Sequence, residues 1–261
     1  LTGADYGIWG EGEFVLPELA RRLERHLPVE DLPGLIVEQK GVWRRNPPRF
    51  GRLDRLPRMR RRWLDNGRYF REGGQAGFET QRGCSRRCIY CADPVAKGKM
   101  VRRRPPEAVA DEIGHLLELG IDVLHTCDGE FNTSETHVLE VCREIARRGL
   151  GEKLRWYAYC TPAPFSRELA RAMRTAGCVG IDFGADHGDE SMLQRLGRDH
   201  VPADVIDAVG NAREEGMAVM LDLLLGAPGE TLCGIERTVE MVRRAGADLA
   251  GVSLGVRIFP G

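Results

Sequence analysis

From residue 77 onward the sequence alternates strand-like apolar runs with helical patterns, and this alternation constrains the fold more than any other feature. Strands separated by helices are typically parallel and joined by crossover connections. The alternation therefore predicts an α/β fold with a parallel sheet of six strands. The predicted strands are 77–82, 121–126, 154–160, 178–186, 217–225 and 250–258.

The predicted helices carry start and stop signals of their own. Pro105-Pro106 precede a helix in which Val109, Ile113 and Leu116 share one face. A glycine follows nearly every helix, and glycine adopts the left-handed conformation that ends a helix at low cost. Six strand–helix units, with no seventh or eighth in this sequence, predict a partial, open (β/α)6 barrel of the TIM type. The chemistry is expected at the carboxyl ends of its strands. The glycines that follow the predicted helices are Gly120, Gly149, Gly177, Gly216 and Gly246.

Residues 1–71 have a different character. A short strand at 4–9 precedes a helix with Leu16, Leu19 and Leu23 on one face. A hairpin is predicted from Leu35–Gln39 and Val42–Arg45, and the arginine- and proline-rich stretch 46–71 is interpreted as a solvated linker. We therefore expect an N-terminal piece at 1–71 and a barrel at 72–261. Because the chain does not begin with Met and stops without a terminal cap, we expect a fragment.

Three cysteines with the spacing Cys84-x3-Cys88-x2-Cys91 follow the first predicted strand of the barrel. Three thiolates can ligate three irons of a [4Fe–4S] cluster, whose usual protein ligands are four cysteines. The fourth iron keeps an open position, which distinguishes a reactive metal centre from a structural one. A zinc site is disfavoured, because zinc motifs usually pair two ligands with two more at a distance.

The other five cysteines show no metal-ligand spacing and are expected to be small buried apolar residues. Eight cysteines without a signal peptide indicate a reducing cytosol. The five cysteines outside the motif are Cys127, Cys142, Cys160, Cys178 and Cys233.

The cysteine spacing, with Tyr90 directly before the last cysteine, resembles the signature of the radical SAM superfamily. The resemblance implies that Cys84, Cys88 and Cys91 ligate the cluster. It also implies that the amino and carboxylate groups of S-adenosylmethionine (SAM) chelate the fourth iron. Reductive cleavage of SAM to a 5′-deoxyadenosyl radical is the activity that the resemblance implies.

The end of the second strand resembles the Gly-Gly-Glu motif of the same family. Gly129 and Glu130 match this motif, and Asp128 stands at its first glycine. The resemblance implies that Glu130 receives the methionyl ammonium group of SAM, an interaction suited to a carboxylate. An ordinary exposed acid is the alternative interpretation of Glu130.

Four further positions lie at or after the ends of the fourth and fifth strands. Arg198 matches the arginine that pairs with the SAM carboxylate, a role that suits its bidentate guanidinium group. Asp186 and His187 stand where the family has Glu and Ser, and His187 is either a SAM contact or a satisfied polar residue. Gly226 begins a Gly-x-Pro-Gly-Glu-Thr segment that resembles the family's adenine-binding strand end.

Tyr159, on the third strand, completes the predicted cofactor-binding set with Tyr90. It shares a face with Tyr157, because side chains alternate along a strand. The alternation of side chains alone leaves open whether this face points into the barrel interior or towards the layer of helices.

A segment upstream of the barrel also shows a family resemblance. Gly10-Glu-Gly-Glu13 followed by the leucine-spaced helix resembles the end of a Rossmann-like cobalamin-binding domain. The resemblance implies cobalamin as a cofactor and C-methylation of a small-molecule or peptide-derived substrate. An Asp-x-His-x-x-Gly signature for the lower cobalt ligand is absent from this sequence.

Two alternatives to methylation remain open at this point. One is a radical SAM rearrangement, cyclisation or sulfur insertion. The other is an iron–sulfur electron-transfer or sensor module, which would need a fourth protein ligand.

The expected partners are the substrate and an external electron donor such as flavodoxin or ferredoxin. The net charge of −1 gives no reason to expect a nucleic-acid partner. No apolar run is long enough to cross a membrane, so we expect no membrane partner and a cytoplasmic protein.

Overall fold

The computed structural model describes residues 3–57, 59 and 61–255. Arg58 and Arg60 of the predicted linker, and the end of the last predicted strand, lie outside the described residues. The chain forms two compact units. The first unit comprises Leu1–Pro57, Arg82–Ser85 and Ala92–Arg102, and the second comprises Arg58–Gln81, Arg86–Cys91 and Arg103–Gly261.

The strands and helices follow the predicted order. The strands are β1 (Tyr6–Ile8), β2 (Leu35–Gln39), β3 (Val42–Arg45), β4 (Ala76–Phe78), β5 (Gln81–Arg82), β6 (Arg102–Arg103), β7 (Val123–Thr126), β8 (Arg155–Cys160), β9 (Cys178–Asp186), β10 (Ala218–Leu225) and β11 (Leu249–Leu254). The α-helices are α1 (Gly12–Glu24), α2 (Asn66–Arg71), α3 (Asp93–Ala96), α4 (Pro106–Glu118), α5 (Glu135–Arg147), α6 (Arg167–Thr175), α7 (Glu190–Leu196), α8 (Pro202–Glu214) and α9 (Leu232–Ala245). Short 3₁₀ turns lie at Leu53–Arg55, Arg61–Trp63, Phe131–Thr133 and Leu150–Glu152.

The first unit contains an antiparallel sheet in the order β1-β2-β3 and the helix α1. The predicted hairpin is confirmed, and Lys40 and Gly41 turn it with φ angles of 53° and 79°. The predicted face of α1 is wrong in part, because Leu16 and Leu23 are exposed. Only the stripe of Val15 and Leu19 is buried on α1, since the small sheet covers little of the helix.

The second unit contains a six-stranded sheet in the order β11-β10-β9-β8-β7-β4, and its strand pairs are parallel. The partial-barrel α/β fold and its six parallel strands are thereby confirmed. The first predicted strand, 77–82, is too long, because β4 ends at Phe78 and β5 pairs with β6 in a separate two-stranded sheet. The predicted helix-ending glycines are also confirmed, because all five have positive φ angles.

One face of the parallel sheet carries the apolar core of the second unit, which it shares with α4, α5, α6, α8 and α9. Trp156 lies at its centre, with its ring centroid 5.7 Å from that of Phe78 and 5.2 Å from that of Phe131, both edge-to-face. Fully burying a large apolar side chain contributes about 1.5–3 kcal/mol, so this layer fixes the register of the strands.

The linker prediction needs one correction. Arg61 is buried inside the second unit instead of solvated. Its Nη2 donates to the Gly77 carbonyl at 2.6 Å and to Glu112 Oε1 at 2.7 Å. A buried guanidinium needs such partners, because an unpaired charge is expensive to desolvate. No helix in the described part of the chain has the length and apolar character that crossing a bilayer requires.

Candidate active site

The buried side chain of Arg198 joins several of the predicted site residues within the second unit. Its Nη1 donates to Cys88 Sγ at 3.3 Å and to Glu130 Oε1 at 3.1 Å. Its Nη2 donates to the Gly184 carbonyl at 2.9 Å. Asp186 Oδ2 lies 2.9 Å from its Nε, close enough for an ion pair although the geometry is not that of a hydrogen bond. The structure therefore brings Cys88, Glu130, Asp186 and Arg198 together, as the sequence predicts.

Glu130 lies between two guanidinium groups. Arg198 contacts one carboxylate oxygen, and the Nε of Arg86 donates to the other. A second nitrogen of Arg86 pairs with Asp199. Because both oxygens of Glu130 already accept from arginine, an incoming ammonium group has to replace or share one of these contacts.

Asp186 and Tyr90 connect β9 to the cysteine segment. The Tyr90 hydroxyl donates to Asp186 Oδ2 at 2.6 Å. Asp186 has a φ of 57°, the left-handed region that non-glycine residues seldom occupy. Burial raises the pKa of the Asp186 carboxyl, and the neighbouring Arg198 opposes that rise. Burial and the Asp186 charge both raise the pKa of Tyr90, so its phenol stays protonated and remains a donor.

The cysteine segment packs against the carboxyl end of α7. The backbone N–H of Ile89 donates to the Leu196 carbonyl at 3.1 Å. Gly197, with a φ of 77°, comes so close that a Cβ atom there would lie 2.4 Å from the Arg87 carbonyl oxygen. Glycine is therefore required where α7 ends, and the position of this helix limits where Cys88 can lie.

The three motif cysteines have the chemistry that an iron–sulfur cluster needs. Cys84 and Cys88 are partly exposed and Cys91 is exposed, so the thiols can be reached from solvent. Cys88 Sγ also accepts a hydrogen bond from Arg198, and the thiolate is the form of cysteine that ligates metal. Within the described ranges, no three Cys, His, Asp or Glu side chains stand in an arrangement that would hold a metal ion. The donor set fits the cluster, and its ligation by these residues stays a prediction.

The remaining cysteines divide into two groups. Cys142, Cys160 and Cys178 are buried, as predicted, and burial raises the pKa of Cys178 to about 12. Cys127 and Cys233 are exposed, so the prediction of burial is wrong for these two residues. Cys127 lies directly after β7, and Cys233 lies in the first turn of α9.

Asp128 points into the protein. Its carboxylate accepts from the Thr80 N–H at 2.8 Å, the Thr80 hydroxyl at 2.5 Å and the Gln81 N–H at 3.1 Å. Burial raises its pKa to about 6 despite these hydrogen bonds. The aspartate thus ties the end of β7 to the segment after β4. Gly129, beside it, is exposed.

His187 is fully buried and holds a neighbouring loop. Its Nδ1 accepts from the Asp189 N–H at 3.0 Å, and its Nε2 lies 3.0 Å from Glu230 Oε1. The other oxygen of Glu230 accepts from the Gly226 N–H at 2.7 Å. His187 therefore supports the turn at Gly226, whose φ is 84°, and its ring does not face an open site. Glu230 was missed as a site-supporting residue, although it belongs to the Gly-x-Pro-Gly-Glu-Thr segment.

Tyr159 lies on the sheet face opposite the helices, which resolves the question that strand period left open. Its hydroxyl donates to Asp222 Oδ2, reaching over β9 to β10. Burial and Asp222 raise the pKa of Tyr159, so its phenol also stays protonated. We call this side of the sheet the inner face, defined by His125, Tyr157, Tyr159, Asp182 and Asp222.

Sequence reasoning missed His125, Asp182 and Asp222 as candidate site residues. A signal was available, because Asp182 and Asp222 interrupt apolar strands at the positions that alternate with buried residues. A polar residue in this position of a strand marks the side that the helices do not cover.

Known proteins provide an independent comparison. Residues 78–242 match the family model of the radical SAM superfamily. The chain is 32% identical to tryptophan 2-C-methyltransferase of Streptomyces laurentii, and the match covers 99% of this chain and 53% of that protein.

Two solved structures are similar over nearly the whole chain. Both are of the radical SAM methyltransferase TsrM from Kitasatospora setae, each with 33% identity, a TM-score of 0.90 and coverage of 98% of this chain. One contains cobalamin and a [4Fe–4S] cluster, and the other contains tryptophan substrate and a SAM analogue. The matches cover 54% and 52% of those chains, so this chain spans about half the length of its relatives.

Proposed function

Because the chain belongs to the radical SAM superfamily, we propose that it is part of a cobalamin-dependent methyltransferase that transfers a methyl group from SAM to carbon. The observation that carries the proposal is the Arg198 network. One guanidinium group joins the central cysteine of the motif to Glu130 and to the end of β9. These are the groups that the family resemblance assigns to the cluster and to SAM.

The residues have the following proposed roles. Cys84, Cys88 and Cys91 hold the [4Fe–4S] cluster, which when bound supplies the electron that cleaves SAM to a 5′-deoxyadenosyl radical. Glu130 and Arg198 bind the ammonium and carboxylate groups of SAM, since each carries the complementary charge.

Other predicted residues surround this pair. Gly226 lies beside the adenine, and His187 holds its turn through Glu230. Tyr90 and Asp186 keep Arg198 in position, and Asp128 fixes the strand end that precedes Gly129. Tyr159 lies on the inner face, where a substrate has access from the SAM side.

Cobalamin is proposed as the second cofactor. In this proposal residues 1–71 are the end of a cobalamin-binding domain with its linker, and residues 72–261 are the radical SAM barrel. The proposal is supported by TsrM, which is similar to this chain across both parts and whose structure contains cobalamin.

The proposed substrate is an amino acid or another small molecule with a methylatable carbon. The support comes from TsrM, whose structure contains tryptophan substrate, and from the tryptophan 2-C-methyltransferase relative. A flavodoxin or ferredoxin is proposed as the electron donor, and the cytoplasm as the location.

An anaerobic assay of the full-length protein tests the proposal. The protein, reductant, SAM and cobalamin are incubated with tryptophan and then with other amino acids. S-adenosylhomocysteine and a product heavier by one methyl group are expected, and both are expected to disappear when cobalamin is left out.

Other outcomes would identify the alternatives. Formation of 5′-deoxyadenosine alone, with or without cobalamin, would contradict methyl transfer and indicate rearrangement, cyclisation or sulfur insertion. A cluster that is reduced and reoxidised without any SAM cleavage would indicate an electron-transfer or sensor module.

A further inference from the structure

Asp222 is a carboxylate of the inner face that the proposed function does not use. It lies on β10 between the buried residues Leu221 and Leu223, and its own side chain is partly exposed. Its Oδ2 accepts from the Tyr159 hydroxyl. Within the described part of the chain, no residue donates to Oδ1 and no cation pairs with this carboxylate. One oxygen of Asp222 is therefore available to a ligand.

The neighbouring carboxylates differ from Asp222 because each of them faces a cationic side chain. Asp186 Oδ2 lies 2.9 Å from Arg198 Nε. Asp182 Oδ2 lies 3.6 Å from His125 Nε2, and Asp182 raises the pKa of His125, while burial opposes part of that rise. Asp222 has a neutral phenol as its only partner among the described residues. Because a carboxylate is costly to remove from water without a cation, a positively charged ligand at Asp222 would be stabilised.

Glycines flank Asp222 on both neighbouring strands. In the sheet register Asp222 pairs with Gly184 on β9 and with Gly251 on β11. The Tyr159 side chain lies over Gly184, where a Cβ atom would be 3.6 Å from its ring. A Cβ atom on Gly251 would lie 3.0 Å from Asp222 Oδ1. Since Gly251 has no side chain, Oδ1 stays uncovered on the side away from Tyr159.

The surroundings of Oδ1 are apolar on one side and aromatic on the other. A Cβ atom on Gly251 would also meet the terminal Cε of Met220, at 2.6 Å. Met220 precedes Asp222 by two residues and therefore lies on the same face of β10. Tyr159 lies on the opposite side of the carboxylate, and aromatic rings attract cations. This combination suits an amine that is attached to an apolar body.

Asp222 also lies next to the candidate SAM site. The carbonyl of Gly184, its partner on β9, accepts from Arg198 Nη2 at 2.9 Å. Burial raises the pKa of Asp186, and the Asp222 charge adds to that rise, so the two carboxylates lie within each other's electrostatic field. A ligand at Oδ1 is therefore close to the groups assigned to SAM, as a substrate has to be.

We propose that Asp222 Oδ1 binds a protonated amine of the substrate and thereby selects cationic substrates. The inference rests on the proposed function and narrows it to amino acids and amines. An ammonium group and a carboxylate form a charge-assisted hydrogen bond, which is stronger than a neutral one. An analogue that keeps a carboxylate but lacks the amine would place a second negative charge beside Asp222 and would be rejected.

Calorimetry on the full-length protein with its cluster and SAM tests the inference. Reductant is left out, so SAM is not cleaved during the titration. The compounds form matched sets of an amino acid, the amine that lacks its carboxylate and the acid that lacks its ammonium group; tryptophan, tryptamine and 3-indolepropionate are one such set. In at least one set the amino acid and the amine are expected to bind about 10- to 100-fold more tightly than the acid, the usual value of a hydrogen bond to a charged group.

Two variants of different kinds identify the residue. Asp222→Asn removes the charge at nearly constant volume and is expected to weaken binding of the amine by about 10- to 100-fold, without weakening that of the acid. Gly251→Ala keeps the charge but places a methyl group against Oδ1, so it is also expected to weaken the amine. Asp207→Asn and Gly210→Ala, at exposed positions of α8, are the matched controls. SAM affinity and the thermal unfolding temperature are expected to stay unchanged, which identifies any folding defect.

Three results would overturn the inference. They are an acid that binds as tightly as its amine, an amine whose affinity is the same in Asp222→Asn, and a wild type that binds none of the amines. Methyl transfer is measured separately, as S-adenosylhomocysteine formed after reductant is added. Methylation without amine dependence would leave the proposed function in place and remove the inference. Amine binding that depends on Asp222, in a protein that forms no S-adenosylhomocysteine, would support the amine site and contradict the proposed function.

Discussion

The two faces of the parallel sheet are built from the same strands and differ in almost every other respect. On β8, Trp156, Ala158 and Cys160 are completely buried under the helices, while Tyr157 and Tyr159 on the other face remain partly exposed. The helix-facing side is apolar, and the inner face carries carboxylates, tyrosines and a histidine.

The difference shows how stability and chemistry share one set of strands. Burial of the apolar face fixes register, because a shift by one residue would expose the whole apolar set. The same register then determines which polar side chains meet on the inner face. His125 and Asp182 come together because β7, β8 and β9 are adjacent, and no local sequence preference favours that contact.

The largest expected effect is a loss of activity that leaves the stability of the protein nearly unchanged. Cys88→Ala removes one of the three predicted cluster ligands and is expected to abolish cluster binding and all SAM cleavage. The unfolding free energy of the apoprotein is expected to change by less than about 1 kcal/mol, because Cys88 is not part of the core.

Iron content, absorbance of the cluster and SAM products measure this effect, with Cys233→Ala as the control. Cys233 is an exposed cysteine outside the motif. A Cys88→Ala protein that still made 5′-deoxyadenosine or S-adenosylhomocysteine would break the assignment of the cluster site.

The next prediction compares adjacent residues on opposite faces. Trp156→Ala is expected to lower the unfolding free energy by about 3–5 kcal/mol, because it leaves a cavity among Phe78 and Phe131. Tyr157→Ala is expected to cost about 1 kcal/mol, since the side chain is only partly buried. Urea unfolding of both proteins measures the difference, and equal losses would show that the inner face is also a packed core.

A third prediction concerns Asp128, a buried carboxylate at the end of β7. Its pKa is about 6 in the folded protein against an ordinary 3.8, so from about pH 4 to 6 the folded state holds the proton more tightly. Stability contributed by this proton is therefore present below about pH 4 and is lost as pH rises to about 6. The loss is about 3 kcal/mol, from roughly 1.4 kcal/mol for each pKa unit.

Asp128→Asn is expected to remove this contribution, because the amide does not ionise and its oxygen still accepts from Thr80 and Gln81. Unfolding free energies at several pH values measure it. Asp207→Asn on the exposed side of α8 controls for the loss of one carboxylate. An unchanged pH dependence in Asp128→Asn would contradict the assignment.

The smallest expected effect concerns Arg198. Arg198→Lys keeps the positive charge but loses the planar guanidinium group, whose two terminal nitrogens contact Cys88, Glu130 and Gly184 at the same time. SAM affinity of the reconstituted protein is expected to fall by about tenfold, equivalent to about 1.4 kcal/mol. Calorimetry measures the affinity, with the exposed Arg171→Lys as the control. Unchanged affinity would remove Arg198 from the SAM site.

The sequence was sufficient to predict the six parallel strands and the positions of the cysteine motif, Glu130 and Arg198. The strands follow from apolar periodicity, which is a local property of the chain, whereas Glu130 and Arg198 follow from short motifs that resemble those of the radical SAM superfamily. The predicted glycines after the helices were found for the same reason. The helix face of α1 was predicted incorrectly, because periodicity does not show how much of a helix its neighbours will cover.

The tertiary structure alone decided which polar residues meet. The sequence left open whether His187 contacts SAM or is a satisfied polar residue. In the fold the side chains of Asp128 and His187 both point inward and hold a strand end and a loop. The fold also places His125 beside Asp182 and Tyr159 beside Asp222, and one strand lies between the two residues of each pair. Such contacts depend on strand order and register, which are set by burial of the opposite face and cannot be read from neighbouring residues.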